Sequence, residues 1–328
     1  MQFAWVYGMK LRLGYVAMTL NLADSSPSGA VTYKTYQALQ GEGARRHRLH
    51  KVTEKNLDNT RRILLYNKAM EIPVYRFSSK LVPLATHPDL MDWDYTGDFS
   101  ELLREIGRVV KENAFRVSAH PDHFTIINSP LDKVFEDSLR DLDYHVRLFE
   151  AMGLEDYRYK LVLHVGGVYG NKKDSTERFC ENFVKLPDRI RKRLIIENDD
   201  RSYNTFEVLD ICKKLRAPMA LDVHHHRCLC GGEELGPVLN DIYDTWLGEA
   251  FPPKVHFSSP KSARDYRSHA DYIDYAEFMD FISIAARTGR DVDVMLEAKS
   301  KDTALLKLSG ELSSTDGIEC LNHGEYIL

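Results

Sequence analysis

The 328-residue chain is 43% hydrophobic and 28% charged, which fits a globular protein with a sizeable core and excludes a fibrous or low-complexity chain. Its formal net charge of −5 means that a nucleic-acid partner has to be met by local rather than overall charge. No stretch approaches the roughly 20 apolar residues of a membrane span, and the apolar Met1–Gly8 is too short for a secretory signal. Five scattered cysteines, Cys180, Cys212, Cys228, Cys230 and Cys320, make no disulfide framework. Cys228-x-Cys230 lacks the gap and the second pair of a zinc knuckle. The expectation is a cytoplasmic monomer.

The first strand is predicted over Arg12–Met18, followed by a long loop over Ala23–Gly43. A helix over Glu54–Met70 is read from the spacing of Leu57, Ile63, Leu64 and Ala69. Then strand and helix alternate: strand Ile72–Ser78, helix Ser100–Asn113, strand Phe115–His120, helix Leu131–Met152, strand Lys160–Val165, helix Ser175–Arg191. The second half repeats the pattern with strand Arg193–Glu197, helix Thr205–Leu215, strand Pro218–Val223, helix Val238–Leu247 and strand Lys254–Ser258. A loop over Pro260–Ala270, a helix over Tyr272–Thr288 and a strand over Asp291–Glu297 complete the series. Such alternation implies a parallel sheet, and eight units imply closure into a single (β/α)8 barrel over about residues 11–300. A doubly wound open sheet is the weaker alternative, because Gly14–Leu22 shows no glycine-rich first loop. Thr303–Leu328 reads as a short tail.

The strand ends carry the chemistry. The third closes on His120, the fourth on His164, the fifth on Glu197 and the sixth on Asp222 followed by His224–His226. The seventh holds Lys254 and His256, and the eighth closes on Glu297. Alternation within Lys254–Phe257 sends Val255 and Phe257 to the helices and turns Lys254 and His256 inward. The same parity turns Glu297 inward and puts Ser118 and His120 on one side. Imidazoles and carboxylates converging on one barrel mouth suit manganese, zinc or iron, and several carboxylates favour a multi-metal site. Lys254 is the odd member: a substrate-contacting or salt-bridged lysine, or one carboxylated by carbon dioxide so that it bridges two metals.

Two further features bear on the substrate. From Glu42 to Arg62 seven Lys or Arg face three acids, a local +4, which reads either as a phosphate-tracking patch or as a solvated helix face. The segment His120-Pro121-Asp122-His123-Phe124 is a proline-stiffened loop whose imidazole and phenyl can wedge into a duplex and stack on bases, or simply pack. Arg76, Lys80 and His87 after the second strand are either phosphate contacts or ordinary rim residues.

At these positions the chain resembles the UV damage endonucleases. The resemblance rests on Leu13-Gly14-Tyr15, Tyr75-Arg76-Phe77-Ser78-Ser79, Ser118-Ala119-His120-Pro121, His164-Val165-Gly166-Gly167, Ile196-Glu197-Asn198-Asp199, Leu221-Asp222 with its histidines, and Pro253-Lys254-Val255-His256, in order from about Leu11 to Glu297. It implies an endonuclease IV-like barrel with up to three divalent metals, usually Mn²⁺. It also implies ATP-independent incision immediately 5′ of cyclobutane dimers and 6-4 photoproducts in double-stranded DNA, with abasic sites also attacked by some members. Carried over by position, the ligands are His120, His164, Glu197, Asp222, His225, His256, His269 and Glu297, with Lys254 as the carboxylated lysine. Glu197, Lys254 and Glu297 are implied as catalytic. His123, Phe124, Tyr15, Arg76, His87 and Lys80 are implied to meet DNA. The resemblance selects His225, where strand parity favours His224 or His226. His123-Phe124 stands where some members carry Gln-Tyr. A sugar isomerase on the same barrel and a non-catalytic lesion-binding protein are the competing readings.

Overall fold

The computed structural model describes residues 8–328; of the apolar Met1–Gly8 stretch only Gly8 falls within it. Eight parallel strands form the barrel: β1 (Lys10–Val16), β2 (Val74–Arg76), β3 (Arg116–Ala119), β4 (Lys160–His164), β5 (Leu194–Glu197), β6 (Met219–Asp222), β7 (Lys254–Phe257) and β8 (Val292–Leu296). Each pairs with the next, and β1 pairs with both β8 and β2, which closes the ring. Gly14 is required at that closure, since a Cβ there would lie 2.3 Å from the Val74 carbonyl oxygen.

The helices in chain order are α1 (Tyr33–Ala38), α2 (Glu42–Ala69), α3 (Tyr95–Asp98), α4 (Ser100–Glu112), α5 (Asp132–Ala151), α6 (Lys172–Lys185) and α7 (Asp188–Arg191). They continue with α8 (Thr205–Leu215), α9 (Val223–Leu229), α10 (Leu239–Asp244), α11 (Tyr275–Ala286) and α12 (Lys301–Ser313). The expected loop over Ala23–Gly43 thus contains α1, and α2 begins twelve residues before the expected Glu54 start. The expected tail is corrected more fully. It is the eighth barrel helix, α12, which buries Leu305, Leu308 and Leu312. A hairpin of β9 (Glu319–Asn322) and β10 (Glu325–Ile327) follows. Strand β10 runs antiparallel to Lys10–Arg12 of β1, below the point where β2 joins at Gly14–Val16. Among the described residues no helix is long and apolar enough to cross a membrane.

The barrel interior is layered. At the amino end of the strands Arg12, Arg116 and Asp293 form a charged plug: Asp293 accepts from both guanidiniums at 2.5 Å, and Arg116 is 2% exposed against the Trp246 face. Above it lies an apolar layer of Val16, Val74 and Met295 on one side and Val162, Ile195 and Ala220 on the other. The third layer, at the carboxyl ends, is polar.

Candidate metal centre

The strand ends bring the imidazoles and carboxylates together. Glu197, 1% exposed at the end of β5, is the hub. It accepts from His256 at 2.7 Å, lies 3.1 Å from the His120 Nε2 and 3.5 Å from the His164 Nε2. Glu297 lies 3.3 Å from His256 Nδ1, and His269, from the loop after β7, is held by its Nδ1 at 2.8 Å from the Glu297 carbonyl oxygen. Two overlapping sets of donor atoms form: His120, His164 and Glu197, and Glu197, Asp222, His256 and Glu297. Within each set every donor lies within 4.8 Å of every other.

The helix after β6 decides the histidine triplet. Strand β6 stops at Asp222 and α9 starts at Val223, so the residues follow helical rather than alternating geometry. Asp222 Oδ1 caps the helix by accepting from the His225 N–H at 2.7 Å, and one turn on, the His225 ring lies 3.6 Å from Asp222 Oδ2. His226 turns away to Thr205 at 2.9 Å, and His224 to the Arg267 carbonyl at 3.4 Å. Asn198 ties the ends of β5 and β6 by exchanging hydrogen bonds with the Asp222 backbone, and its carbonyl fixes the His225 Nδ1 at 2.9 Å. In the sequence Asn198 is part of the Ile196–Asp199 motif, and nothing there signals this role.

The electrostatics are those of a site that wants cations. Burial pushes the Asp222 carboxyl up to about 7, with the charges of Glu197 and Glu297 adding and His225 opposing. Burial pulls the His225 imidazolium down, but Asp222, Glu197 and the Asn198 carbonyl outweigh it and raise it to about 9. Burial likewise raises Glu197, yet His256 and His164 overcome it and hold that carboxyl well below its usual range. Glu297 is depressed against its burial by Arg76, then by His256. Three carboxylates packed this closely repel one another unless positive charge joins them. Asp222 Oδ2, His256 Nε2 and His164 Nδ1 are buried without a hydrogen-bond partner among the described residues. Of these, the Asp222 and His256 atoms belong to residues of the second set and are what a divalent cation would complete. The donor set fits oxygen- and nitrogen-loving metals.

Lys254 sits just beneath, fully buried, donating to Ser118 Oγ. Burial, reinforced by the nearby charges of Arg116 and Arg76 and opposed by Asp293 and Glu197, pushes its ammonium well below the usual lysine range.

The residues expected at DNA divide. His123 is exposed and Phe124 is 58% exposed at the tip of the third loop. Lys80 is exposed on the next rim loop and lines, with Phe124, a cavity of about 260 Å³. His87 stacks on Tyr33 at 3.8 Å between ring centroids. Arg76 is turned into the mouth, where it donates to Glu297 at 2.5 Å. Tyr15 is a correction: it is fully buried, because the parity that sends Leu11 and Leu13 to the helices sends Tyr15 with them. Its hydroxyl donates to Asn67 at 2.6 Å.

Fold and site together define a (β/α)8 barrel with a candidate multi-metal centre at the mouth formed by the strand carboxyl ends. The family model described as UV-endonuclease UvdE matches residues 11–326. The UV DNA damage endonuclease of Bacillus cereus is 43% identical over 311 residues, covering 95% of this chain and 97% of that protein. A crystal structure of SacUVDE superposes with a TM-score of 0.82 at 33% identity, over 92% of this chain and 98% of that one. The chain belongs to the UV-endonuclease UvdE family. Endonuclease IV from Thermus thermophilus, with a TM-score of 0.51 at 14% identity over 87% of this chain and 91% of that one, shares the fold.

Proposed function

We propose that this protein is a DNA repair endonuclease that incises double-stranded DNA immediately 5′ of cyclobutane dimers and 6-4 photoproducts. Abasic sites are a further substrate. It hydrolyses the phosphodiester bond without ATP and leaves a 3′-hydroxyl and a 5′-phosphate. The observation that carries the reading is the mouth itself, where carboxylates and imidazoles on successive strand ends converge within ligand distance in a chain of this family.

His120, His164, Glu197, Asp222, His225, His256, His269 and Glu297 would hold up to three divalent cations, Mn²⁺ foremost. When bound, the cations supply Lewis acidity, lowering the pKa of water toward ~7 and offsetting charge on the phosphoryl oxygens and the leaving group. The chain's own part is to hold and orient. Glu197 and Glu297 fix the His256 ring between them, Arg76 holds Glu297 in place, and Asn198 fixes the ring of His225. Lys254 is carboxylated: its amine, in the uncharged form that burial favours, attacks carbon dioxide, forming an N–C bond and losing one proton, R–NH₂ + CO₂ → R–NH–COO⁻ + H⁺. The new anion is favoured by the same Arg76 and Arg116 charges that disfavour the ammonium.

His123 and Phe124 enter the duplex at the lesion. Their loop is stiffened by Pro121 and anchored to α5, where Thr125 donates to Asp141 at 2.5 Å and the Ile126 N–H to Ser138 at 2.8 Å. Lys80 and His87 flank it as backbone contacts. The sugar-isomerase alternative has no observation in its favour, since the family match runs over residues 11–326.

The test is incubation of the Mn²⁺-loaded protein with UV-irradiated duplex in the absence of ATP, with cleavage mapped at nucleotide resolution. Nicks 5′ of the photoproducts are expected. Intact irradiated duplex, with metal confirmed bound, refutes the assignment.

A further inference from the structure

Helix α2 is far longer than the barrel needs. Its 28 residues span about 42 Å, whereas the longest barrel strand, β1, has seven residues and spans about 23 Å. Because α2 follows β1, it starts on the mouth side and descends to the start of β2. Its hydrogen bonds to the loops that rim the mouth fall between Lys55 and Tyr66: Lys55 to Asp24, Asn56 to Gly29 and Lys80, Asn59 to Ser26, Tyr66 to Asn21. The part before Lys55, about 20 Å long, stands beyond those contacts. It is braced only from the side, by α1 through Arg45 and by His50 against Asp98 and Trp93. The barrel mouth therefore has a wall on one flank.

The charge on α2 changes where the helix leaves the rim. Below, two of the four cations are in ion pairs, Lys55 with Asp24 at 2.8 Å and Arg61 with Asp58 at 2.7 Å and Glu105 at 3.2 Å, and Arg62 donates to Asn59 and the Ala23 carbonyl. Above, from Gly43 to Thr53, there is no acid at all. Arg46, Arg48 and Lys51 are exposed and make no ion pair among the described residues. Arg48, Lys51 and Lys55 fall within about 60° of one another on the helix, at about 100° per residue, and so form one stripe. Three arginines in the first two turns also run against the helix dipole, which favours anions there. A solvated helix face normally intersperses acids at three- and four-residue spacing; here Glu42 precedes Arg46 by four residues and Glu54 follows Lys51 by three, while Arg48 has no acid at either spacing.

We propose that the projecting half of α2 is a second DNA-binding element that tracks the phosphate backbone of undamaged duplex flanking the lesion, through Arg48 and Lys51 of that stripe. It rests on the reading of the mouth as a nuclease centre, and it assigns to the wall the sequence-independent part of binding. In a chain of net charge −5, such a local patch provides the attraction that the molecule as a whole withholds. The occupant is duplex backbone because the stripe offers cations with no interleaved exposed aromatic to stack on single-stranded bases.

The experiment measures binding of undamaged duplex to metal-free protein as a function of NaCl, and separately nicking of irradiated duplex by metal-loaded protein. The variant R48Q/K51Q is expected to lower the slope of log K against log salt by roughly 1 to 2, about 0.9 for each phosphate no longer neutralised, and to weaken binding at about 0.1 M salt at least tenfold. Its nicking rate at saturating DNA stays at the wild-type value. The charge-keeping variant R48K holds the wild-type slope. So does R191Q/K192Q, which removes as many cations at the opposite end of the barrel. A wild-type slope in R48Q/K51Q overturns the proposal, as does an equal loss in the control at the far end. On the wild-type protein, bound undamaged duplex shields Lys51 from amine acylation; an unshielded Lys51 also overturns it. Failure of wild-type protein to nick irradiated DNA sinks the nuclease reading, whereas the slope and shielding test the wall alone.

Discussion

Removing Asp293 leaves Arg116 with a buried charge and nowhere to put it. Arg12 is partly exposed and can turn toward Glu325 or solvent, but Arg116 is 2% exposed and wedged between Trp246 and Phe251. Breaking one partner of a buried ion pair costs about 3–5 kcal/mol, and the Pro252 carbonyl that Arg116 also contacts offsets only part of it. For a chain of 328 residues the unfolding entropy near 60 °C is about 0.7 kcal/mol per degree, so Asp293→Ala is expected to lower Tm by about 4–7 °C. Thermal melts followed by circular dichroism read this directly. The double variant R116M/D293L, which replaces the pair by apolar side chains, recovers most of the loss, because burying the pair itself contributes little net stability. A Tm shift below about 1 °C in Asp293→Ala, or a double variant as unstable as the single, would falsify the account of the plug.

Three further outcomes are expected. Glu197→Gln and His256→Ala each lower bound metal, measured by elemental analysis, and nicking by orders of magnitude; full activity in either removes that residue from the site. Lys254→Met abolishes nicking, and a short carboxylic acid such as acetate restores part of it. An intact mass showing an unmodified lysine at neutral pH, together with no rescue, ends the carboxylation reading. Phe124→Ala leaves stability within about ±0.5 kcal/mol, as expected of an exposed site, but narrows the difference in affinity between irradiated and intact duplex; unaltered discrimination excludes the wedge role.

The eight strands and the inward ring were legible because β-strand parity leaves a plain trace in sequence: Val255 and Phe257 outward, Lys254 and His256 inward. Parity misled at His224–His226 because it was carried past Asp222, where the backbone had already become helical. Tyr15 failed the other way: its parity with Leu11 and Leu13 was readable, and the family resemblance overrode it. The start of α2 was missed for a physical reason. Before Leu49 the helix buries nothing, so no apolar period exists to be read. The C-terminal hairpin was invisible because its strands are four and three residues long and β9 is largely exposed. Arg76 could not be placed from sequence, since its position after a strand fits equally a rim contact and the inward partner of Glu297.

The hairpin gives the barrel an order of assembly. Strand β1 is made first, yet its neighbours β8 (Val292–Leu296) and β10 (Glu325–Ile327) lie near the far end of the chain, and only β2 follows soon. During synthesis from the ribosome β1 has to wait with an exposed hydrogen-bonding edge, the kind of surface that invites pairing with other chains. The ring closes when β8 pairs with β1, but the foot of β1 at Lys10–Arg12 is covered only when Glu325–Ile327 arrives, and the same event brings Leu328 against Met9. A nascent chain halted after β8 would already carry every candidate ligand and still leave the foot of β1 unzipped.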